Sequence, residues 1–187
     1  MRVYVIRHGE SENNIGKLWT GWMDVHLTEK GREQAKNAGK LLADVRFDKI
    51  YSSDLIRARE TAECMLPGCR YETSELLREY NVGSIAGRPY SSMTQEDWAS
   101  TKDGYTAFGG ESRAQFTERL EKFVHMLEES DASETAVFCH AGWLRGMLDY
   151  VLKGTRASEK VCCSNCTVGI FEYTGGRWLL HSWINPR

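Results

Sequence analysis

The sequence lacks the features that mark several protein classes. None of its apolar stretches approaches the roughly 20 residues that a membrane-spanning helix needs. Its 24 Lys and Arg residues do not outnumber its 26 Asp and Glu residues, so a net charge of −2 gives no sign of a nucleic-acid-binding basic patch. Internal repeats, low-complexity tracts and linkers are also missing. We therefore expect one globular domain over residues 1–187, with neither a membrane nor a nucleic acid as its partner.

The cysteines do not form the paired spacing of a zinc site. Cys162, Cys163 and Cys166 lie close together, but the second cysteine pair that such a site requires is missing. We expect the six cysteines to be reduced and mostly buried, and we expect no metal site. Residues 1–3 lead directly into an apolar run, so we also expect no signal peptide and a cytoplasmic location.

Strand and helix patterns alternate along the chain. Short apolar runs predict buried strands, and apolar residues at three- and four-residue spacing predict helices. The predicted strands cover 3–6, 49–51 and 135–139, the predicted helices 28–45, 54–65, 111–129 and 143–152, and two further strands, 168–173 and 178–183, flank a Gly-Gly turn. Alternating strands and helices indicate an α/β fold with a mainly parallel sheet, and the terminal hairpin makes that sheet mixed.

The most informative motif is Arg7-His8-Gly9-Glu10-Ser11, which follows the first predicted strand. The carboxyl edge of a parallel sheet is where open α/β folds bind ligands. A guanidinium beside an imidazole suits a phosphoryl group, because the cation offsets its charge and the imidazole can attack it. Gly9 is expected to let the backbone turn and approach a ligand closely.

A second histidine repeats this context. His140 follows the strand at 135–139 and precedes Gly142 and a predicted helix. Backbone N–H groups at the start of that helix would face an anion bound there. A lone histidine is more often a core residue with a satisfied hydrogen bond, but two histidines at two strand ends favour a shared pocket.

Two further charged residues have weaker signals of their own. Arg57 follows the strand at 49–51 and lies at the start of the next helix, where its guanidinium could hold two phosphate oxygens. Glu79 lies among loop-forming residues and could donate a proton to a leaving oxygen. Taken alone, each of these residue types is more often an ordinary surface residue. The same alternative stays open for Arg113 and Arg119, which could reach the far end of a substrate.

Together these segments resemble the histidine phosphatase superfamily, also called phosphoglycerate mutase-like. The matching stretches keep the family's order over nearly the whole chain, which makes the resemblance specific. They are Arg7-His8-Gly9-Glu10-Ser11 with Asn14, Leu27-Thr28-Glu29-Lys30-Gly31, Ser52-Ser53-Asp54-Leu55 with Arg57 and Thr61-Ala62, Leu77-Arg78-Glu79 with Gly83, Gly109-Gly110-Glu111-Ser112, and His140-Ala141-Gly142. The resemblance implies a three-layer fold with a mixed, mainly parallel central sheet flanked by helices.

The resemblance also implies a role for each site residue. His8 resembles the nucleophile that becomes phosphohistidine, Glu79 resembles the proton donor, and His140 is similar to the second catalytic histidine. Phosphate binding is implied for Arg7, Arg57, Asn14, Thr20, Gly21 and Ala141. The family's chemistry implies neither a metal nor another cofactor. The implied partner is a small phosphomonoester, and a homodimer is left open.

Three functions follow from the resemblance. A metal-independent phosphatase is favoured, because Val82 and Tyr90 stand where the resemblance to the mutases implies Tyr and Lys, and because the stretch from Glu79 to His140 is short for a mutase. A cofactor-dependent phosphoglycerate mutase is the alternative, since residues 16–22 resemble the mutases' substrate loop. The second alternative is a protein that binds phosphorylated ligands without catalysis.

Overall fold

A mixed β-sheet forms the centre of the molecule. Over the residues that it describes, 1–153 and 157–186, the computed structural model contains a six-stranded sheet in the order β3-β2-β4-β1-β5-β6. The strands are β1 (Arg2–Arg7), β2 (Lys49–Ser53), β3 (Glu72–Ser74), β4 (Glu134–Cys139), β5 (Val168–Thr174) and β6 (Arg177–Ile184). The first four positions are parallel, whereas β5 pairs antiparallel with both β1 and β6. The mixed, mainly parallel sheet is thereby confirmed, and so is the terminal hairpin.

Helices cover both faces of this sheet. They are α1 (Glu12–Ile15), α2 (Glu29–Gly39), α3 (Ile56–Met65), α4 (Gln95–Ser100), α5 (Arg113–Glu128) and α6 (Ala141–Val151). One core packs α5 and α6 against Val3, Val5 and Val137. The other core packs α2 and α3 against Tyr4 and Ile6. Alternate residues of β1 therefore belong to opposite cores, which is the period-two geometry of a strand buried on both faces.

The helix predicted over 28–45 is shorter than expected. Its N-cap is Thr28, whose side chain accepts a hydrogen bond from the Gly31 N–H. The α-helix ends at Gly39, and residues 40–42 form a 3₁₀ turn that shifts the later side chains around the axis. As a result Leu42 is buried, while the neighbouring Leu41 is 51% exposed.

The helix predicted over 54–65 begins two residues later than expected. Its N-cap is Leu55, which makes no side-chain capping bond. The polar residues just before it, Ser52 and Ser53, are the last residues of β2, and the Ser53 hydroxyl contacts His140. The helix predicted over 143–152 begins at Ala141, directly after His140.

The register of the sheet brings three strand ends together. Arg7 of β1 pairs with Cys139 of β4, and Ser52 of β2 pairs with Phe138 of β4. His8, Ser53 and His140 therefore lie side by side at one edge, where the strands stop and α6 begins. None of the helices in the two described ranges combines the length and the apolar character that crossing a bilayer would take.

Candidate active site

His8 is buried at the end of β1 with one ring nitrogen already engaged. Its Nδ1 lies 2.7 Å from the Gly9 carbonyl oxygen, which can only accept, so Nδ1 carries the proton. Burial, reinforced by the positive charges of Arg57 and Arg7, holds the pKa of His8 well below its usual value. The imidazole is therefore neutral at pH 7, and its Nε2 keeps a free lone pair.

The glycine after His8 serves a different purpose from the one expected. A Cβ on Gly9 would stand 2.5 Å from the Gly31 carbonyl oxygen, so any side chain would collide with the start of α2. The Gly9 N–H donates to the Thr61 hydroxyl at 3.0 Å. Gly9 is thus required by packing between β1 and two helices, rather than by close approach to a ligand.

His140 is fully buried beside His8. Their ring centroids are 5.3 Å apart, and the His140 Nε2 lies 2.9 Å from the Ser53 hydroxyl. Its Nδ1 is buried and has no partner among the described residues. Burial, then the charge of Arg57, holds the pKa of His140 well below normal. The two strand-end histidines do converge, as their shared sequence context predicts.

Arg57 is a buried cation with no carboxylate partner in the part of the chain that the structure describes. Its side chain is 1% exposed, and its Nη1 and Nη2 donate to the carbonyls of Met23 and Gly21, both at 2.9 Å. Burial lowers the pKa of Arg57 to about 10, which still leaves it charged at pH 7. A guanidinium has five N–H donors, so three remain beyond these two bonds. A buried, unpaired charge is costly unless an anion reaches it.

Arg7 and Asn14 complete the polar end of the cavity. Arg7 donates through Nη1 to the carbonyl of Cys163 and is partly exposed to the cavity. Asn14 lines the same cavity, and its Oδ1 accepts hydrogen bonds from the Ser11 N–H and from Asn165, both at 3.1 Å.

Glu79 is held at the start of α6. Its Oε1 accepts from the Tyr80 N–H at 2.9 Å and its Oε2 from the Gly142 N–H at 3.0 Å. A Cβ on Gly142 would overlap the Glu79 Oε1, so this close approach requires glycine. One of the helix N–H groups expected to face a bound anion is therefore occupied by a carboxylate of the protein itself.

These residues surround a cavity of about 950 Å³. Eight of the nine residues predicted for the site line it, and the ninth, His140, is buried beside His8. The predicted residues that line the cavity are Arg7, His8, Asn14, Thr20, Gly21, Arg57, Glu79 and Ala141.

Sequence reasoning missed several residues of the cavity. Tyr80, Tyr90 and Tyr105 line it, and burial raises the pKa of Tyr80 to about 12, so its hydroxyl stays protonated. These tyrosines follow one another at intervals of 10 and 15 residues, which match neither a helix nor a strand period. Arg145 also lines the cavity and lies four residues after Ala141 on α6, a helical spacing that could have revealed it.

The two arginines left open by the sequence have different positions. Arg113 lines the cavity, at the start of α5. Arg119 does not; it pairs with Glu111 at 2.9 Å and donates to the carbonyls of Leu76, Arg78 and Glu79. Arg119 therefore supports the segment that carries Glu79.

The cysteines make no disulfide bonds. All six are free, with Cys139, Cys163 and Cys166 buried and Cys162 exposed. Across residues 1–153 and 157–186, no three His, Cys, Asp or Glu side chains are grouped in a way that could hold a metal ion.

Comparisons with known proteins identify the family and the fold of this chain. A family model described as the histidine phosphatase superfamily, branch 1, matches residues 3–186. The adenosylcobalamin/alpha-ribazole phosphatase of Salmonella typhimurium is 34% identical over 84% of this chain and 83% of its own length. The probable phosphoglycerate mutase GpmB of Salmonella paratyphi A is 30% identical over 98% and 90%. The crystal structure of the alpha-ribazole phosphatase from Shigella flexneri has a TM-score of 0.86 at 26% identity, covering 97% of this chain and 95% of that one.

The neutral, buried His8 predicts a pH dependence of stability. Its lowered pKa means that the unfolded chain binds a proton below about pH 6.5 that the folded protein does not. The stabilising contribution of a neutral His8 is therefore fully present above pH 6.5. Below pH 6.5, His8 makes the free energy of unfolding fall by up to about 1.4 kcal/mol per pH unit.

Urea unfolding of the wild type and His8→Asn, measured at pH 7 and pH 5, checks this. The wild type should lose more stability between these pH values than the variant does. The exposed His181 offers a matched control, and His181→Asn should keep the wild-type dependence. Equal losses in the wild type and His8→Asn would contradict a neutral, buried His8.

Proposed function

Because the chain belongs to the histidine phosphatase superfamily, we propose that it is a phosphatase that hydrolyses a small-molecule phosphomonoester through a phosphohistidine on His8. The observation that carries this proposal is the buried, unpaired guanidinium of Arg57 in the cavity that also contains His8. A phosphate dianion supplies the charge that Arg57 lacks, and it would then meet a neutral imidazole with a free Nε2.

The first step of the proposed reaction transfers the phosphoryl group to His8. The Nε2 lone pair forms a bond to phosphorus while the bond from phosphorus to the ester oxygen breaks. Arg7 and Arg57 offset charge on the phosphoryl oxygens as they move, and fixed cations need no reorganisation at that moment. Glu79, carrying a proton, passes it to the departing alkoxide, so the alcohol leaves neutral.

The second step releases phosphate. A water molecule attacks phosphorus and gives a proton to the Glu79 carboxylate, while the bond from phosphorus to Nε2 breaks. His8 returns to its neutral form with its Nδ1–H still donating to the Gly9 carbonyl oxygen, and Glu79 is protonated again. The N–H groups of Tyr80 and Gly142 hold the Glu79 carboxyl group in place throughout the cycle.

The size and lining of the cavity support a substrate with a bulky alcohol portion. At about 950 Å³ the cavity is in the range that encloses drug-sized ligands, roughly 300–1,000 Å³. Trp19, Tyr80, Tyr90 and Tyr105 form an aromatic wall along it. A three-carbon phosphate would leave most of this wall uncovered, so it would gain little binding from it.

The second candidate function is a phosphoglycerate mutase. It is favoured by Trp19, Thr20 and Gly21, which line the cavity in a stretch that resembles the mutases' substrate loop. Against it, Val82 presents only an apolar side chain at a position where the resemblance to the mutases implies tyrosine, and it packs into a small apolar cluster with Ile85 and Met93.

Labelling of the enzyme with phosphate tests the proposed nucleophile. Brief incubation with a ³²P-labelled phosphomonoester and acid-free quenching should leave label on the wild type and none on His8→Ala, because the bond forms on the His8 Nε2. Hydrolysis of p-nitrophenyl phosphate should continue in the presence of a chelator. His181→Ala is the matched control and should label normally; label on folded His8→Ala would show that another residue is the nucleophile.

The leaving group tests the role of Glu79. Glu79→Gln should lower kcat about 10²- to 10⁴-fold for an alkyl phosphate, since the alkoxide then leaves without a proton. The loss should be much smaller for p-nitrophenyl phosphate, whose phenolate leaves readily. Glu121→Gln, a second carboxylate change within the same cavity, should leave the ratio of the two rates unaltered. An equal loss for both esters would remove Glu79 as the proton donor.

A panel of phosphorylated metabolites separates the two candidate functions. Phosphate release should be measured for phosphoglycerates, phosphoserine, sugar phosphates, alpha-ribazole phosphate and naphthyl phosphate, with and without 2,3-bisphosphoglycerate. We expect release without the bisphosphate, and a lower KM for the bulkier esters because they cover more of the aromatic wall. Interconversion of phosphoglycerate isomers that depends on the bisphosphate would favour the mutase instead.

A further inference from the structure

The loop before β5 supports the active-site segment from behind. This support loop, residues 162–167, contains the clustered cysteines, but its contacts with the site are made by other groups. The Thr167 carbonyl accepts from the Arg7 N–H at 3.0 Å, and the Cys166 N–H donates to the His8 carbonyl at 3.2 Å. The Cys163 carbonyl accepts from the Arg7 guanidinium. The main chain at Arg7 and His8 is therefore fixed by this loop as well as by the sheet.

One side chain of the support loop links His8 with Asn14. The Asn165 Nδ2 donates to the His8 carbonyl oxygen and to the Asn14 Oδ1, both at 3.1 Å. The orientation of the Asn165 amide follows from its partner, because a backbone carbonyl can only accept. Since His8 and Asn165 are 157 residues apart, this contact exists only in the folded protein.

The orientation of the Asn14 amide follows in the same way. The Ser11 N–H can only donate, so the Asn14 atom 3.1 Å from it is the oxygen. The Asn165 Nδ2 donates to that oxygen too, which fills both of its lone pairs. The Asn14 NH₂ group is then the part of the amide left to donate to a ligand, and Asn14 lines the cavity.

The loop holds an unfavourable backbone conformation to make these contacts. Cys166 has φ 58°, a left-handed conformation that is unfavourable for a residue with a side chain. Thr167, which is fully buried, ties the loop together by donating from its hydroxyl to the Ser164 carbonyl at 2.8 Å. Strained residues of this kind persist where the surrounding structure determines them.

We propose that Asn165 is a positioning residue, which holds the Asn14 amide with its NH₂ group toward a bound phosphate and fixes the His8 main chain. This inference rests on the proposed function in that it takes the cavity to bind a phosphoryl group. Asn165 itself does not line the cavity, so it acts through Asn14 and His8.

The binding of inorganic phosphate, measured by calorimetry, tests this role without requiring turnover. Asn165→Leu keeps the approximate shape of the side chain and removes the donor. It should weaken phosphate binding about 10-fold, the size of one hydrogen bond to a charged group. On an Asn14→Ala background the same change should alter binding less than about threefold, because the group that it positions is gone. A purely structural role would give the same loss on both backgrounds.

Two further variants separate a specific effect of Asn165 on phosphate binding from a general effect of substitution on the fold. Asn37→Leu changes an exposed asparagine of α2 and should bind phosphate as the wild type does. If Asn165→Leu does not fold, Asn165→Ser, which retains a shorter donor, takes its place and should show a smaller loss.

Unchanged binding in Asn165→Leu, or an equal loss with and without Asn14, would overturn the inference. If the wild type binds phosphate but hydrolyses no ester, the proposed phosphatase activity is refuted, and the role of Asn165 in phosphate binding can still be tested. If the wild type does not bind phosphate, both the proposed phosphatase activity and the positioning role of Asn165 are refuted.

Discussion

The structure of the cavity depends on one buried positive charge. Arg57 is enclosed by protein, bonded only to two backbone carbonyls, and has no carboxylate in contact among the described residues. Such a charge is tolerated because Glu79 and Asp24 stabilise it from a distance, whereas burial opposes it. An anion bound in the cavity would offset the cost of this arrangement, and this is the physical basis of the proposed preference for negatively charged ligands. The same guanidinium holds the carbonyls of Gly21 and Met23, so it also positions the loop that lines the cavity.

The charge of Arg57 and burial act in the same way on the imidazoles of His8 and His140. Burial and nearby cations both disfavour a charged ring, so the pKa of each histidine is lowered. A neutral ring is what a nucleophile requires, and the Gly9 carbonyl determines which nitrogen stays free. The residues that hold these groups are ordinary in themselves: a serine beside His140, a glycine beneath Glu79 and an asparagine behind His8.

Apolar patterns in the sequence predicted the strands and helices well where burial in the core alone determines the residue type. The buried strands appear as apolar runs, and the face of α5 appears as apolar residues at helical spacing, because burial alone selects those residues. The sequence was less informative where two roles compete for one residue. Ser53 has the chemistry of a helix cap, yet in the structure it ends β2 and contacts His140. Leu41 follows the apolar period of α2, yet the change to a 3₁₀ turn exposes it.

The sequence by itself determined which residue types the site contains. Its strand-end histidines, arginines and family-ordered motifs predicted which residues would share one cavity, and the structure brings them together. Only the tertiary structure decided how each one is held: the free nitrogen of His8, the unpaired charge of Arg57, the contact of Glu79 with α6, and the link from Asn165 to Asn14. The physical reason is that residue types are fixed along the chain, whereas hydrogen bonds, burial and charge depend on which distant segments meet in space.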